Sequence, residues 1–259
     1  MSDKPKRIVL KFGSGILAKS DGSALETDQF RRFASEVSAL VRAAHECIIV
    51  SSGAVAAGLK SLGLKERPDD LPTRQACAAV GQSKLMELYA TSFAKHKINV
   101  AQLLLTHEDL DSRLRYRNAK STLNRLLQCG NVVPIINEND SVAVEELKFG
   151  DNDRLSAEVA ILADADLLVL LTSVDGLLDK KGRLVPLVDD VKKVQSLARV
   201  EKGKFSVGGM VTKLQAVKMA VDAGVHAAIA NGRTPGQIPA LVAGKPAGTL
   251  FPVKPIIKS

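Results

Sequence analysis

Apolar runs of strand length alternate with amphipathic helical stretches along nearly the whole chain, and few architectures accommodate that alternation. The runs are Arg7 to Phe12, Glu46 to Ser52, Ile98 to Leu105, Asn131 to Asn137, Asp166 to Thr172 and Val225 to Ala230. Between the first two, Phe30, Phe33, Val37, Leu40 and Val41 recur at three-and-four spacing, which predicts a helix over Thr27 to Ala44. Further helices are expected over Thr73 to Lys97 with a break near Gly81, and over Asp109 to Cys129, Asp153 to Leu162, Met210 to Ala223 and Pro235 to Val242. A run such as 167–171, apolar at every position, needs cover on both faces. Strands separated by helices run parallel, so the pattern predicts an α/β fold with a mainly parallel sheet covered on both sides. Pro134 is awkward in its strand because it cannot donate to the ladder. No repeat, low-complexity tract or Pro/Ser-rich linker interrupts the 259 residues, so a single domain over 1–259 is expected.

Several function classes drop out early. The most apolar stretch, Ala160 to Leu171, is interrupted by Asp164 and Asp166, far short of the roughly 20 apolar residues a membrane span needs. At the N-terminus only Ile8-Val9-Leu10 precedes Lys11, which is no secretory signal. The three cysteines, Cys47, Cys77 and Cys129, are widely spaced and form no C-x-x-C pair. That argues against a disulfide framework or zinc ribbon and for a reducing cytoplasm, with each cysteine a buried small hydrophobe. A net charge of +8 suits nucleic acid, an anionic membrane or phosphorylated small molecules. With 3% aromatic residues, no Trp and dispersed basic side chains, nucleic acid is the weaker reading. His45, His96, His107 and His226 are never paired with Cys or acids at ligand spacing, and no G-x-S-x-G elbow is present.

In open α/β sheets ligands bind beyond the carboxyl ends of the strands, so the residues leaving each strand are the ones to read. The first strand delivers Lys11, Gly13 and Gly15, and the second delivers Ser52, Gly53 and Gly58. The fourth delivers Asn137, Asn139 and Asp140, followed by Gly150, Asp151, Asn152 and Asp153. The fifth delivers Thr172 and Ser173, and Gly208-Gly209 precedes a helix with Thr212-Lys213 in its first turn. Glycines beside a lysine let backbone N–H groups approach an anion, and a helix N-terminus adds its positive dipole end. The plainer readings are a tight turn with an exposed lysine, and a glycine turn before an amphipathic helix. The acid-amide clusters read either as helix and turn caps or as a recess for a zwitterion. In the second case Asp140 pairs with an ammonium, while Ser52 and amide donors hold a carboxylate.

These segments resemble the amino acid kinase family. The resemblance rests on Ile8 to Ser14, Val50 to Gly58, Ala79-Val-Gly-Gln82, Ile136 to Asp140, Phe149 to Asp153 and Gly208 to Lys213, in the family's order, and ends at Gly248-Thr-Leu-Phe251. It implies an open three-layer α-β-α sandwich. Within the family the motifs are similar to those of the branch that phosphorylates the side-chain carboxylate of L-glutamate with MgATP, at the start of proline biosynthesis. The resemblance implies that Ser52, Asp140 and Asn152 bind glutamate, with Asn137 and Glu146 bordering the pocket where proline acts as feedback inhibitor. It implies that Lys11, Thr172, Ser173, Val207, Gly208, Gly209, Met210, Val211, Thr212 and Lys213 bind ATP. Asp153 is implied as organiser of the two catalytic lysines, Lys11 and Lys213. A homo-oligomer is expected, without a nucleic-acid or membrane partner. Many members carry a C-terminal RNA-binding-like PUA domain, which is not expected here. Three positions depart from the family pattern: Ser206-Val207 replaces the usual Gly-Thr, and Ser173 stands where Asp is frequent. The competing readings are a relative acting on N-acetylglutamate, aspartate or a nucleoside monophosphate, a catalytically silent regulator, and an RNA-binding protein.

Overall fold

The computed structural model describes residues 4–19, 24–143, 151–197 and 209–253. Seven strands form one sheet in the order β3-β4-β2-β1-β5-β6-β7. They are β1 (Arg7–Phe12), β2 (Glu46–Ser51), β3 (Asn99–Leu105), β4 (Val132–Glu138), β5 (Leu167–Thr172), β6 (His226–Asn231) and β7 (Thr249–Phe251). The first six pair parallel, and β7 joins the β6 edge antiparallel. The expected mainly parallel sheet is therefore present, with one short strand that the apolar pattern does not announce.

Side-chain alternation divides the core into two layers. Ile8, Leu10 and Phe12 of β1 face one cluster, with Phe30, Phe33 and Val37 from α2 (Thr27–Arg42) and Leu85, Tyr89 and Phe93 from α4 (Leu71–Ala94). The helices α1 (Ser14–Leu17), α3 (Ala54–Leu59) and α10 (Gln237–Val242) contribute to the same layer. Val9 faces the other cluster, built on α6 (Arg113–Leu127), α7 (Asp151–Leu162) and α9 (Gly209–Asp222). The parity of β1 thus directs Lys11, two residues after Val9, toward the α7 and α9 layer. The short helices α5 (His107–Asp111) and α8 (Val191–Val194) and a 3-10 turn (Lys60–Leu62) complete the described elements.

Three expectations need correction. The helix around Gly81 is continuous from Leu71 to Ala94. There Gly81 serves close packing: a Cβ on it would lie 1.8 Å from the Ala54 carbonyl oxygen, and one on Gly58 would lie 1.9 Å from that of Cys77. The helix expected over 109–129 is two, because Ser112 leaves helical geometry (φ −79°, ψ 114°). Thr106 and Asp109 close a reciprocal capping box that starts α5 two residues early. Cys47 and Cys77 are buried as expected, but Cys129 is exposed in the turn that follows α6. Pro134 is accommodated in β4 because the pairing to β2 begins at the next residue, Ile135. Among the described residues no helix is long and apolar enough to cross a membrane.

Candidate active site

The carboxyl ends of β1, β2, β4 and β5 open toward one side of the sheet, where two polar clusters meet the N-termini of α7 and α9. The first is ionic. Asp153, in the first turn of α7, lies with one carboxylate oxygen 2.5 Å from Lys11 Nζ and the other 3.1 Å from Lys213 Nζ. Thr212 Oγ1 donates to the same Asp153 Oδ2 at 2.9 Å. Lys213 Nζ also reaches the Gly209 carbonyl at 3.4 Å, which folds the lysine back along the first turn of α9. All three charged groups are buried: Lys11 is 6% exposed, Asp153 2% and Lys213 7%.

Burial alone would push the Asp153 carboxyl up, but the Lys11 and Lys213 ammonium groups outweigh it and hold the carboxyl below its ordinary range. Burial pushes the Lys213 ammonium down; Asp153 lifts it, and Lys11 opposes that lift. Two ammonium groups thus share one carboxylate, and the trio carries a net positive charge in a poorly solvated place. A group of that kind is stabilised by an arriving anion. Gly209, which opens α9 with φ +46°, places the positive dipole end of a helix beside the trio.

The second cluster is neutral. Asn152 Nδ2 donates to Ser52 Oγ at 2.9 Å and to Asn137 Oδ1 at 3.2 Å. Asn137 Oδ1 also accepts from the Glu138 backbone N–H, while Asn137 Nδ2 donates to Gln82 Oε1 at 2.8 Å. Ser52 is held at its strand exit by its own N–H, which donates to the Phe12 carbonyl. Gly53, in the left-handed region at φ +104°, turns the chain from Ser52 into α3.

Adjacent residues are the ones joined. Asn152 and Asp153 are neighbours on α7, so a single helical turn ties the amide cluster to the ionic one. Asp140 lies three residues beyond Asn137 and lines a cavity of about 240 Å³ together with His107, Glu138 and Asn139. Thr172 and the exposed Ser173 close β5, where the Thr172 carbonyl accepts from Gly232 N–H. In α9 the Met210 side chain is buried in the core and offers a ligand only its backbone, whereas Val211 is exposed. Val207, Gly208 and Glu146 lie outside the described residues.

Two groups escaped the sequence reading. Gln82 stands in a quoted motif segment, but only the helix crossing brings its amide to Asn137. His107 lies buried with Nδ1 2.6 Å from Glu158 and Nε2 3.9 Å from Glu138. The hydrogen bond its ring N–H donates to Glu158 raises the imidazole's pKa above its usual value, against the lowering effect of burial. Its partners are too distant in sequence for spacing to expose them.

Comparisons with known proteins fit this geometry. A family model described as the amino acid kinase family matches residues 6–231. Glutamate 5-kinase of Pelobacter propionicus is 45% identical over 255 residues, covering 96% of this chain and 68% of that protein. Glutamate 5-kinase of Geobacter sulfurreducens is 47% identical with the same coverage, and that of Thermus thermophilus is 45% identical over 95% of this chain and 67% of its own length. Among solved structures, UMP kinase from Bacillus anthracis superposes with a TM-score of 0.64 at 18% identity, over 97% of this chain and 98% of that one. N-acetylglutamate synthase from Neisseria gonorrhoeae superposes with a TM-score of 0.70 at 14% identity, over 96% of this chain and 60% of that one. The last two speak for the fold alone. With the family model matched over most of its length and glutamate 5-kinases 45–47% identical over almost all of it, the chain belongs to the amino acid kinase family.

Proposed function

We propose that this chain transfers the γ-phosphoryl group of ATP to the side-chain carboxylate of L-glutamate, forming L-glutamyl 5-phosphate and ADP as the first step of proline biosynthesis in the cytoplasm. The observation that carries the reading is the buried trio in which Lys11 and Lys213 share Asp153. The three relatives compared above, 45–47% identical, are each named glutamate 5-kinase, which supports glutamate as the acceptor.

The acceptor carboxylate is already ionised near neutral pH, its reference pKa being about 4.3, so the site needs no general base. A carboxylate oxygen attacks the γ-phosphorus, the bond to the β–γ bridging oxygen breaks, and ADP leaves with that electron pair. The barrier lies in bringing two anions together, so catalysis consists of positioning and charge stabilisation. Lys11 approaches from β1 and Lys213 from α9, and their ammonium groups neutralise the transferring oxygens. Asp153 and Thr212 fix the two lysines relative to one another. The α9 N-terminus, with Gly209 to Thr212, and the β5 exit at Thr172 and Ser173 hold the nucleotide. At the acceptor end Ser52, having accepted from Asn152, has its own O–H to donate to the amino acid's carboxylate, and Asp140 pairs with its ammonium.

Mg²⁺ enters with the nucleotide. Among the described residues no three His, Cys, Asp or Glu side chains are grouped to hold a cation, and Asp153 is engaged by two lysines. The ion would be held by ATP phosphates, whose charge it would neutralise, and none of the described residues forms a cage for it. Proline as feedback inhibitor in the amino-acid recess and assembly into a homo-oligomer belong to the same proposal.

The test is ADP release with MgATP and, in turn, glutamate, N-acetylglutamate, aspartate and UMP. Glutamate is expected to be the preferred acceptor by a wide margin. Preference for N-acetylglutamate would remove the role of Asp140, because an acetylated amine has no charge to pair; preference for UMP would overturn the reading altogether.

A further inference from the structure

The amide cluster leaves a definite remainder. Its orientations are anchored at one backbone group: the Glu138 N–H can only donate, so the Asn137 atom that receives it is the oxygen. Asn137 therefore offers its NH₂ to Gln82, and the atom of Gln82 that accepts must again be the oxygen. Asn137 Oδ1 also accepts from Asn152, which fixes the Asn152 NH₂ toward Asn137 and Ser52. No amide in the series can be flipped without setting two donors or two acceptors face to face. What remains of the amides is one buried donor, Gln82 Nε2, and one buried acceptor, Asn152 Oδ1, neither with a hydrogen-bond partner among the described residues. Gln82 is 9% exposed, so its Nε2 cannot simply turn to bulk water.

A buried unsatisfied donor is costly and calls for an explanation. Helix packing locates it. Gly81, the preceding residue, is pressed against the Ala54 backbone so tightly that a Cβ would stand 1.8 Å from its carbonyl oxygen. Ala54 follows Ser52 and Gly53 at the strand exit, so the α3–α4 contact fixes the Gln82 stem at the edge of the amino-acid site. One leftover donor and one leftover acceptor complement a free amino acid, whose α-carboxylate only accepts and whose ammonium only donates.

We propose that Gln82 is a specificity-determining residue of this site: its Nε2 is the donor kept for the α-carboxylate of the bound amino acid. Its Oε1, through Asn137, also keeps Asn152 Oδ1 turned toward the ammonium. The proposal rests on glutamate being the acceptor, and the test separates the two claims.

Wild type, Gln82→Glu and Gln82→Met are compared with L-glutamate and with the α-amide of L-glutamate, which retains the reacting side-chain carboxylate. Gln82→Glu keeps the acceptor for Asn137 and replaces the Nε2 donor by an oxygen. The ratio of kcat/KM for glutamate to that for the α-amide is expected to fall by about tenfold or more, since the α-amide NH₂ can donate where a carboxylate cannot. A ratio within about twofold of wild type overturns the proposal, even if both substrates lose activity, because equal losses report a structural role only. Gln82→Met keeps the length without polarity and decides the matter should the glutamate variant fail to fold. It is expected to raise the glutamate KM about tenfold while kcat and the ATP KM stay within about twofold. An unchanged glutamate KM, or a parallel loss of ATP affinity and kcat, is the contrary result. If the wild-type chain does not phosphorylate glutamate at all, the functional reading falls and this proposal falls with it. If it does while the Gln82 variants behave like wild type, only the present inference fails.

Discussion

The two halves of the site lie one residue apart on α7 and solve opposite problems. At Asp153 the chain gathers formal charge: two ammonium groups on one buried carboxylate, with a positive remainder. At Asn152 it gathers neutral dipoles: Ser52, Asn137, Asn152 and Gln82 joined by directional hydrogen bonds, with one buried amide donor and one buried amide acceptor to spare beside the Ser52 O–H. Charge is suited to a reaction in which negative charge moves, because Coulomb attraction tolerates small displacements of the phosphoryl group. Amides are suited to recognition, because an ill-matched guest leaves a buried group unpaired. The comparison teaches that losses at the two ends will differ in kind, in kcat at one and in KM at the other.

The largest effect is expected from Asp153→Asn. It removes the charge that holds both lysines and leaves them buried without a counterion. Turnover at saturating glutamate and MgATP should fall by about 10²–10³. Loss of one partner from a buried ion pair should lower stability by about 3–5 kcal/mol, read by urea unfolding. Normal turnover in a folded Asp153→Asn protein would erase the distinction between the two ends. Next comes Asn152→Ala, which should raise the glutamate KM by about 10–100-fold with kcat nearly kept, since the lost hydrogen bonds serve a charged guest. A fall in kcat with KM unchanged would place Asn152 on the phosphoryl side.

Gly81→Ala bears on the frame shared by both. Its Cβ would press on Ala54 backbone that cannot swing aside, and overpacking of this kind costs about 1–3 kcal/mol. Because the strained contact borders the amide cluster, the glutamate KM should rise while the ATP KM does not. Equal stability of variant and wild type in urea would contradict the close crossing.

The smallest effect concerns pH. The His107 imidazole has a raised pKa through its hydrogen bond with Glu158. A raised folded-state value gives stabilisation that is complete below the unfolded value, about 6.5, and fades as the pH climbs through the folded value. The stability difference between wild type and His107→Gln should therefore be larger at about pH 6 than at about pH 9. Asp153 has the opposite sign: its carboxyl is lowered, so its stabilisation is present above the ordinary carboxylate value and is lost as the pH falls. A pH-independent gap for His107→Gln would show that Glu158 binds the neutral ring equally well.

Much of the frame was legible in the sequence because local rules agree there. The strands β1, β2 and β5 each carry an unbroken apolar run, Ile8–Leu10, Cys47–Val50 and Leu167–Leu171, and the parity of β1 sends Lys11 to the side opposite Phe12. Gly81 misled because glycine's low helix propensity and its use in close backbone contact leave the same letter in the sequence. Ser112 could not be recognised as a break, since the helical period persists on both sides of it. The residue set of the ionic trio came with the family resemblance; that Lys11, Asp153 and Lys213 share one carboxylate is a property of how α7 and α9 pack. Gln82 and the His107–Glu158–Glu138 group depend wholly on long-range packing and left no trace in spacing.

The central claim is that Lys11 and Lys213 flank the phosphoryl group as it moves. A crystal structure with MgADP, aluminium fluoride and L-glutamate tests it most directly. Both Nζ atoms are expected at about 2.7–3.1 Å from fluorides of the planar mimic, with Asp153 still bridging them. An ammonium group of either lysine turned away from the aluminium centre would contradict the account.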